Sequence, residues 1–213
     1  FAVGLGAAGF SMQDILLEPY GAQVLGLSVS ATTMLTAIFA SGTLVGLALA
    51  SRLLSRSMDP MRVAGYGVLL GIFAFGAIVY SAPIGSAILF RFGTALIGAG
   101  GGLFVVGTMT TAMAMTRDGN SGIAVGAWSA VYATSTGLAL GAGGYLKDGV
   151  SSLAGSGILG AALDQVSVGY IFIYHIEILL LFFALVAIGP LVRTGNSNRT
   201  GHNQRITMSE IPS

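Results

Sequence analysis

No cysteine occurs anywhere in the chain, so neither a disulfide framework nor a thiolate metal site is open to it. Charge is almost as scarce: Asp, Glu, Lys and Arg make up 8% of the 213 residues, against about 25% in an ordinary soluble domain. The few basic residues are spread over connecting segments rather than gathered in a stripe, and the net charge is only +1, which argues against a nucleic-acid partner. The 33 glycines follow no three-residue period, which excludes a collagen-like rod. What remains is hydrocarbon: 54% of the residues are hydrophobic and the mean hydropathy is +0.85. The composition specifies an all-α integral membrane protein, because the long apolar runs lack the period-two alternation of a membrane barrel.

A bilayer core needs about 20 apolar residues per helix. Six candidate spans meet or approach that length, at residues 1–17, 29–53, 61–80, 87–115, 123–146 and 168–192. The sequence opens on "FAVGLGAAGF", without Met and already inside an apolar run, and is read as a fragment of a longer protein. Arg52, Arg56 and Arg62 follow the second span, Arg117 follows the fourth, and Arg193, Arg199 and Arg205 lie in the tail. The other side carries Lys147, with Arg91 a little way inside the fourth span. The positive-inside rule then predicts a cytoplasmic C-terminus. Residues 1–193 form the expected six-helix half-domain, and the polar tail 194–213 lacks an apolar period and is expected to be without order. The stretch from Lys147 to Ser167 reads as one long loop, with a brief helix at "ILGAAL".

The polar groups that interrupt the hydrocarbon are the candidate functional residues. "SMQDILLEPYG" places Gln13, Asp14 and Glu18 close together, with Pro19 set to end or kink the helix. On a regular helix Asp14 and Glu18, four apart, share a face. An ionisable residue inside a span is by default a functional candidate, since lipid exposure costs about 2.5 to 3.5 kcal/mol even on lenient scales. His175 and Glu177 lie within the last span and point to different faces. His175 either coordinates a metal centre, the magnesium of a chlorin included, or bonds across helices. Glu177 is either protonated or paired, and Arg91 is either its partner or snorkels to the outer face. Trp128 and Tyr132, four apart in "GAWSAVYATSTG" with Thr134, Ser135 and Thr136 beside them, either line a cavity for a flat apolar ligand or simply pack. "GLGAAG" matches a dinucleotide fingerprint by letter only, since no strand precedes it. Gly4 to Gly9, Gly42/Gly46, Gly122/Gly126, Gly137/Gly141 and the cluster from Gly98 to Gly102 are read as faces for close helix packing. No metal-ligand cluster, hydrolytic triad or phosphate loop is visible, and catalysis is not expected.

Six spans with both ends cytoplasmic resemble the C-terminal half, helices seven to twelve, of a major facilitator superfamily transporter. "LASRLLSR", with Arg52 and Arg56, resembles a worn copy of that superfamily's loop motif, Ser51 standing for the Asp and Leu54 for the Gly. A more specific resemblance lies in "QDILLEPYGAQVLGLSVSATTMLTAIFASGTLVG", where Gln13, Asp14, Leu16, Leu17, Glu18, Pro19, Tyr20 and Gly21 match a segment of the PucC/LhaA family. The ending "SEIPS" fits that family more loosely. The resemblance implies an assembly factor for light-harvesting complexes in a bacterial inner or intracytoplasmic photosynthetic membrane. Its implied partners are (bacterio)chlorophyll and antenna polypeptides. Gln13, Asp14, Glu18, Tyr20 and His175 are then candidates to meet the pigment, because magnesium prefers hard oxygen donors and chlorins also accept imidazole. The alternative reading is a proton-coupled transporter of a small solute, with Asp14, Arg91 or Glu177 in the coupling.

Overall fold

The structure, a computed structural model, describes residues 1–115, 121–156, 160, 163 and 165–209, with side chains described as far as residue 192. Every regular element among the described residues is helical. In order they are α1 (Ala2–Ser11), a 3-10 turn (Met12–Ile15), α2 (Leu17–Gln23), α3 (Val29–Ser55), α4 (Pro60–Ile84), α5 (Ala87–Ala114), α6 (Ser121–Gly155) and α7 (Ser167–Ser209). Helices α3, α4, α5, α6 and residues 167–192 of α7 are long and apolar enough to cross a membrane. The first of the six expected spans is not continuous. It breaks at the 3-10 turn and resumes as α2, so its helical path reaches Gln23 rather than Leu17.

Short connections with explicit stop and start signals set the helix boundaries. Asp59 caps α4, its carboxylate accepting from the backbone N–H groups of Met61 (2.9 Å) and Arg62 (3.2 Å), and Pro60 occupies the first turn, where its missing donor is harmless. Gly85 ends α4 in the left-handed conformation at φ 65°, and Ser86 caps α5. Helix α5 lies between α3 and α4, α4 also packs on α7, and α1 packs on α6 and α7.

Water does not drive these helices together inside a bilayer, so close backbone approach must supply the packing. Gly42 and Gly46 of α3 rest on the backbone of Ala95 and Ala99 in α5, while Gly67 of α4 rests on Gly100 and Phe104. A Cβ at any of these positions would strike backbone. The paired glycines of α6 behave otherwise: Gly122, Gly126, Gly137 and Gly141 meet nothing within 4 Å, so the close-packed face expected there is open among the described residues.

Helix α6 also overruns its expected end at Leu146, continuing through Lys147 to Gly155. Lys147 and Asp148 pair at 2.7 Å, and Gly169 at the start of α7 lies against Ser151 and the Lys147 carbonyl, so residues 147–155 of the stretch read as loop are helix packed on α7. Most of "ILGAAL" lies outside the described residues, as does Arg117. The backbone of α7 runs past its apolar part to Ser209, into the tail expected to be without order. A nucleated helix gains one hydrogen bond per added residue, so extension needs no apolar period.

Candidate functional site

Pro19 explains why the first segment breaks. It has no N–H to donate to the carbonyl of Ile15 four residues back, and its ring crowds that carbonyl, so the chain leaves α geometry just upstream. Leu16 bonds back three residues to Gln13 (2.9 Å), the tighter 3-10 pattern, before α2 begins. Interrupted helices are tolerated at membrane depth only where protein satisfies the freed polar groups. Here the satisfying group is a carboxylate from the other end of the chain: Glu177 of α7 accepts from the Gln13 backbone N–H at 2.6 Å.

Both residues are fully buried, at 0% exposure. The Gln13 side-chain amide donates to the Phe10 carbonyl (3.2 Å) and to the Asp14 carboxylate, so its oxygen must face the other way. Thus Glu177 holds the Gln13 backbone while Gln13 holds Asp14. Around this junction the aromatic side chains form a dense plug. Tyr20 contacts Phe90, Tyr170 and Tyr174 with ring centroids 5.3 to 5.6 Å apart, and Phe75 backs Tyr174 at 6.1 Å. The Tyr20 hydroxyl reaches toward the Ile78 carbonyl (3.4 Å), while the Tyr170 hydroxyl donates to the Gln23 side-chain oxygen (2.8 Å).

On the other side of the 3-10 turn, Asp14 opens into a cavity of about 440 Å³ between α1, α3, α5 and α6. Phe10, Phe39, Leu47, Ile97 and Val105 supply apolar wall, and Gly98, Gly101 and Gly102 line part of it without side chains. The polar lining comes from Asp14, Ser11, Thr43, Tyr132 and Thr136. Ser11 and Thr136 are 3.1 Å apart across α1 and α6. Tyr132 stacks on Trp128 (5.1 Å, 22° between planes), and the Trp128 indole N–H donates to Thr108 (3.2 Å), fixing the pair. Such an arrangement accepts a flat apolar body and offers one carboxylate and several hydroxyls to whatever donor or cation that body carries.

The sequence candidates therefore divide. Asp14 and Tyr132 line the cavity, Trp128 supports it from behind, and Gln13 and Glu177 form the buried junction beneath it. Tyr20 belongs to the aromatic plug. Glu18 does not share a face with Asp14, because the 3-10 turn changes the helical phase between them; it accepts instead from Thr36 of α3 at 2.7 Å. His175 is exposed on α7 with its Nδ1 2.7 Å from the Ile171 carbonyl of its own helix, making that bond within α7 rather than across helices. Arg91 makes no ion pair with Glu177; among the described residues the one ion pair is Lys147–Asp148. Arg52 and Arg56 are exposed at the end of α3.

Ser11, Phe39, Thr43 and Tyr174 were not singled out from sequence. Phe39 and Thr43 are four apart on α3, and Tyr174 precedes Glu177 by one turn, so spacing carried a faint signal for three of them.

Comparison with known proteins places this chain in a family. The PUCC protein family model matches residues 1–196. The chain is 46% identical over 213 residues to an uncharacterized protein of Rhodobacter capsulatus encoded in the puhA-bchM intergenic region, covering 99% of this chain and 44% of that protein. It is 51% identical over 150 residues to Protein PucC of Rhodovulum sulfidophilum (70% of this chain, 33% of the relative) and 40% identical over 201 residues to Protein PucC of Cereibacter sphaeroides (92% and 42%). The chain thus spans less than half the length of these relatives. No solved structure matches. Built on an interrupted helix pinned by Glu177 and matched along nearly its whole length, the chain belongs to the PUCC protein family.

Proposed function

We propose that this chain is part of a non-catalytic assembly factor that handles (bacterio)chlorophyll and supports its placement in antenna polypeptides, in the photosynthetic membrane of a bacterium. Family membership supports the setting, and the Asp14 cavity is the observation that carries the reading. Its volume lies within the range of small-molecule sites, and its lining combines apolar wall with a few convergent polar groups. A chlorin is a flat, apolar ring with polar groups on its rim and a hard metal at its centre. The glycine and aromatic surfaces suit the ring, and the Asp14 carboxylate, with Ser11, Thr136 and Tyr132, suits the polar part, since magnesium takes oxygen donors. His175 plays no part in this cavity.

The test is an absorption spectrum of the full-length protein purified gently from a phototrophic host, with washing that removes loose pigment. Stoichiometric near-infrared bands that fall in Asp14→Asn and Ser11→Ala variants support the reading. A colourless, folded wild-type protein refutes pigment handling at this site and leaves antenna-polypeptide chaperoning to be tested by antenna yield.

A further inference from the structure

We propose that Glu177, Gln13 and Tyr174 form an internal binding site for one alkali cation of sodium size. The inference concerns the buried junction and not the cavity, and it stands whatever the cavity carries. All three side chains are fully buried, and each has one oxygen without a hydrogen-bond partner: Glu177 Oε2, Gln13 Oε1 and the Tyr174 hydroxyl. Buried polar atoms are nearly always satisfied, so three orphans on neighbouring residues call for a common partner. Their setting is tight: Glu177 Oε1 is bound to the Gln13 backbone N–H, and Tyr174 lies one turn before Glu177 on α7.

The available atoms select the partner. Each can present a lone pair, and all are hard oxygens, which suit an alkali or alkaline-earth cation rather than a transition metal. A single carboxylate matches one positive charge, which favours a monovalent ion over calcium or magnesium at a buried site. No Lys, Arg or His among the described residues bonds to Glu177. The charged group nearest in the network, Asp14, adds negative charge through its bond to the Gln13 amide. That same bond, with the one to Phe10, fixes which end of the Gln13 amide is free and leaves its oxygen for the site. Interrupted membrane helices elsewhere hold sodium at the break through backbone carbonyls; at this break the oxygens on offer are side-chain ones.

A bound cation would also stabilise the break, since it joins the 3-10 turn to α7 through both residues. The test is the thermal unfolding midpoint of the full-length protein in sodium, potassium or choline chloride at equal ionic strength. The expected result is a saturable rise with sodium over choline that disappears in Glu177→Gln and shifts to several-fold higher sodium in Tyr174→Phe. Should Glu177→Gln not fold, the Tyr174→Phe shift alone decides, because that change removes one oxygen and keeps the ring. Equal midpoints in sodium and choline overturn the proposal. So does a sodium response left intact by these substitutions, or an infrared carboxylic-acid band in sodium buffer that is lost with Glu177, which would show a proton in the cation's place.

Discussion

Adding one methyl group to α4 at two positions separates the roles that glycine plays in this bundle. At Gly67 a Cβ would lie 2.5 Å from the Gly100 carbonyl oxygen and 2.7 Å from the Phe104 backbone nitrogen of α5. Ordinary contact is about 3.5 Å, so α4 and α5 would have to part by roughly 1 Å along their most extensive contact. Backbone cannot rotate away as a side chain can, and overpacking of this kind costs about 1 to 3 kcal/mol. At Gly76 on the same helix nothing lies within 4 Å, so alanine meets no obstacle and brings the helix preference of alanine over glycine, up to about 1 kcal/mol. The two variants differ from wild type by the same atoms and should move stability in opposite directions. Unfolding of each purified variant in one detergent, followed by circular dichroism, measures the difference. If Gly67→Ala is as stable as Gly76→Ala, backbone contact between α4 and α5 does not hold the bundle and the packing argument fails.

Removing the cap in Asp59→Ala leaves the Met61 and Arg62 N–H groups without their acceptor and should lower stability by about 1 kcal/mol, with Asp59→Asn close to wild type in the same unfolding assay. Tyr20→Ala empties the centre of the aromatic plug and should cost about 3 kcal/mol or more, whereas Tyr20→Phe keeps the ring contacts and gives up only a long 3.4 Å hydrogen bond. Comparable losses in the two Tyr20 variants would show that the hydroxyl, not the ring, matters.

Class and span positions were legible in the sequence because they depend on composition and run length, which a bilayer reads directly. Residues 29–53 and 87–115, for example, anticipated α3 and α5 to within two residues. The failures came where one local signal competed with a distant one. Lys147 and Asp148 look like a loop in isolation, yet they satisfy each other on the helix while Gly169 brings α7 against the same turn. Asp14 and Glu18 have helical spacing, but Pro19 disrupts the helix upstream and sends them to different neighbours. Glu177 was recognisable as a buried carboxylate, while its partner, a backbone N–H 164 residues away, leaves no trace in side-chain identity. The glycine pairs of α3 and α6 show the same limit: identical spacing, with packing in one and open space in the other.

The interrupted first segment has a consequence for biosynthesis. The turn between α1 and α2 carries an amide and a carboxylate that favour water over hydrocarbon. The groups that receive the end of α1 and this turn, Thr136 and Glu177 respectively, are translated more than a hundred residues later. Early in synthesis the segment therefore lacks its permanent berth, and it settles only when α6 and α7 have left the ribosome. A nascent chain stalled before α7 should leave a cysteine placed at Gln13 open to an aqueous thiol reagent, and release of α7 should close it. These 213 residues carry no cysteine of their own, so within them that label is single.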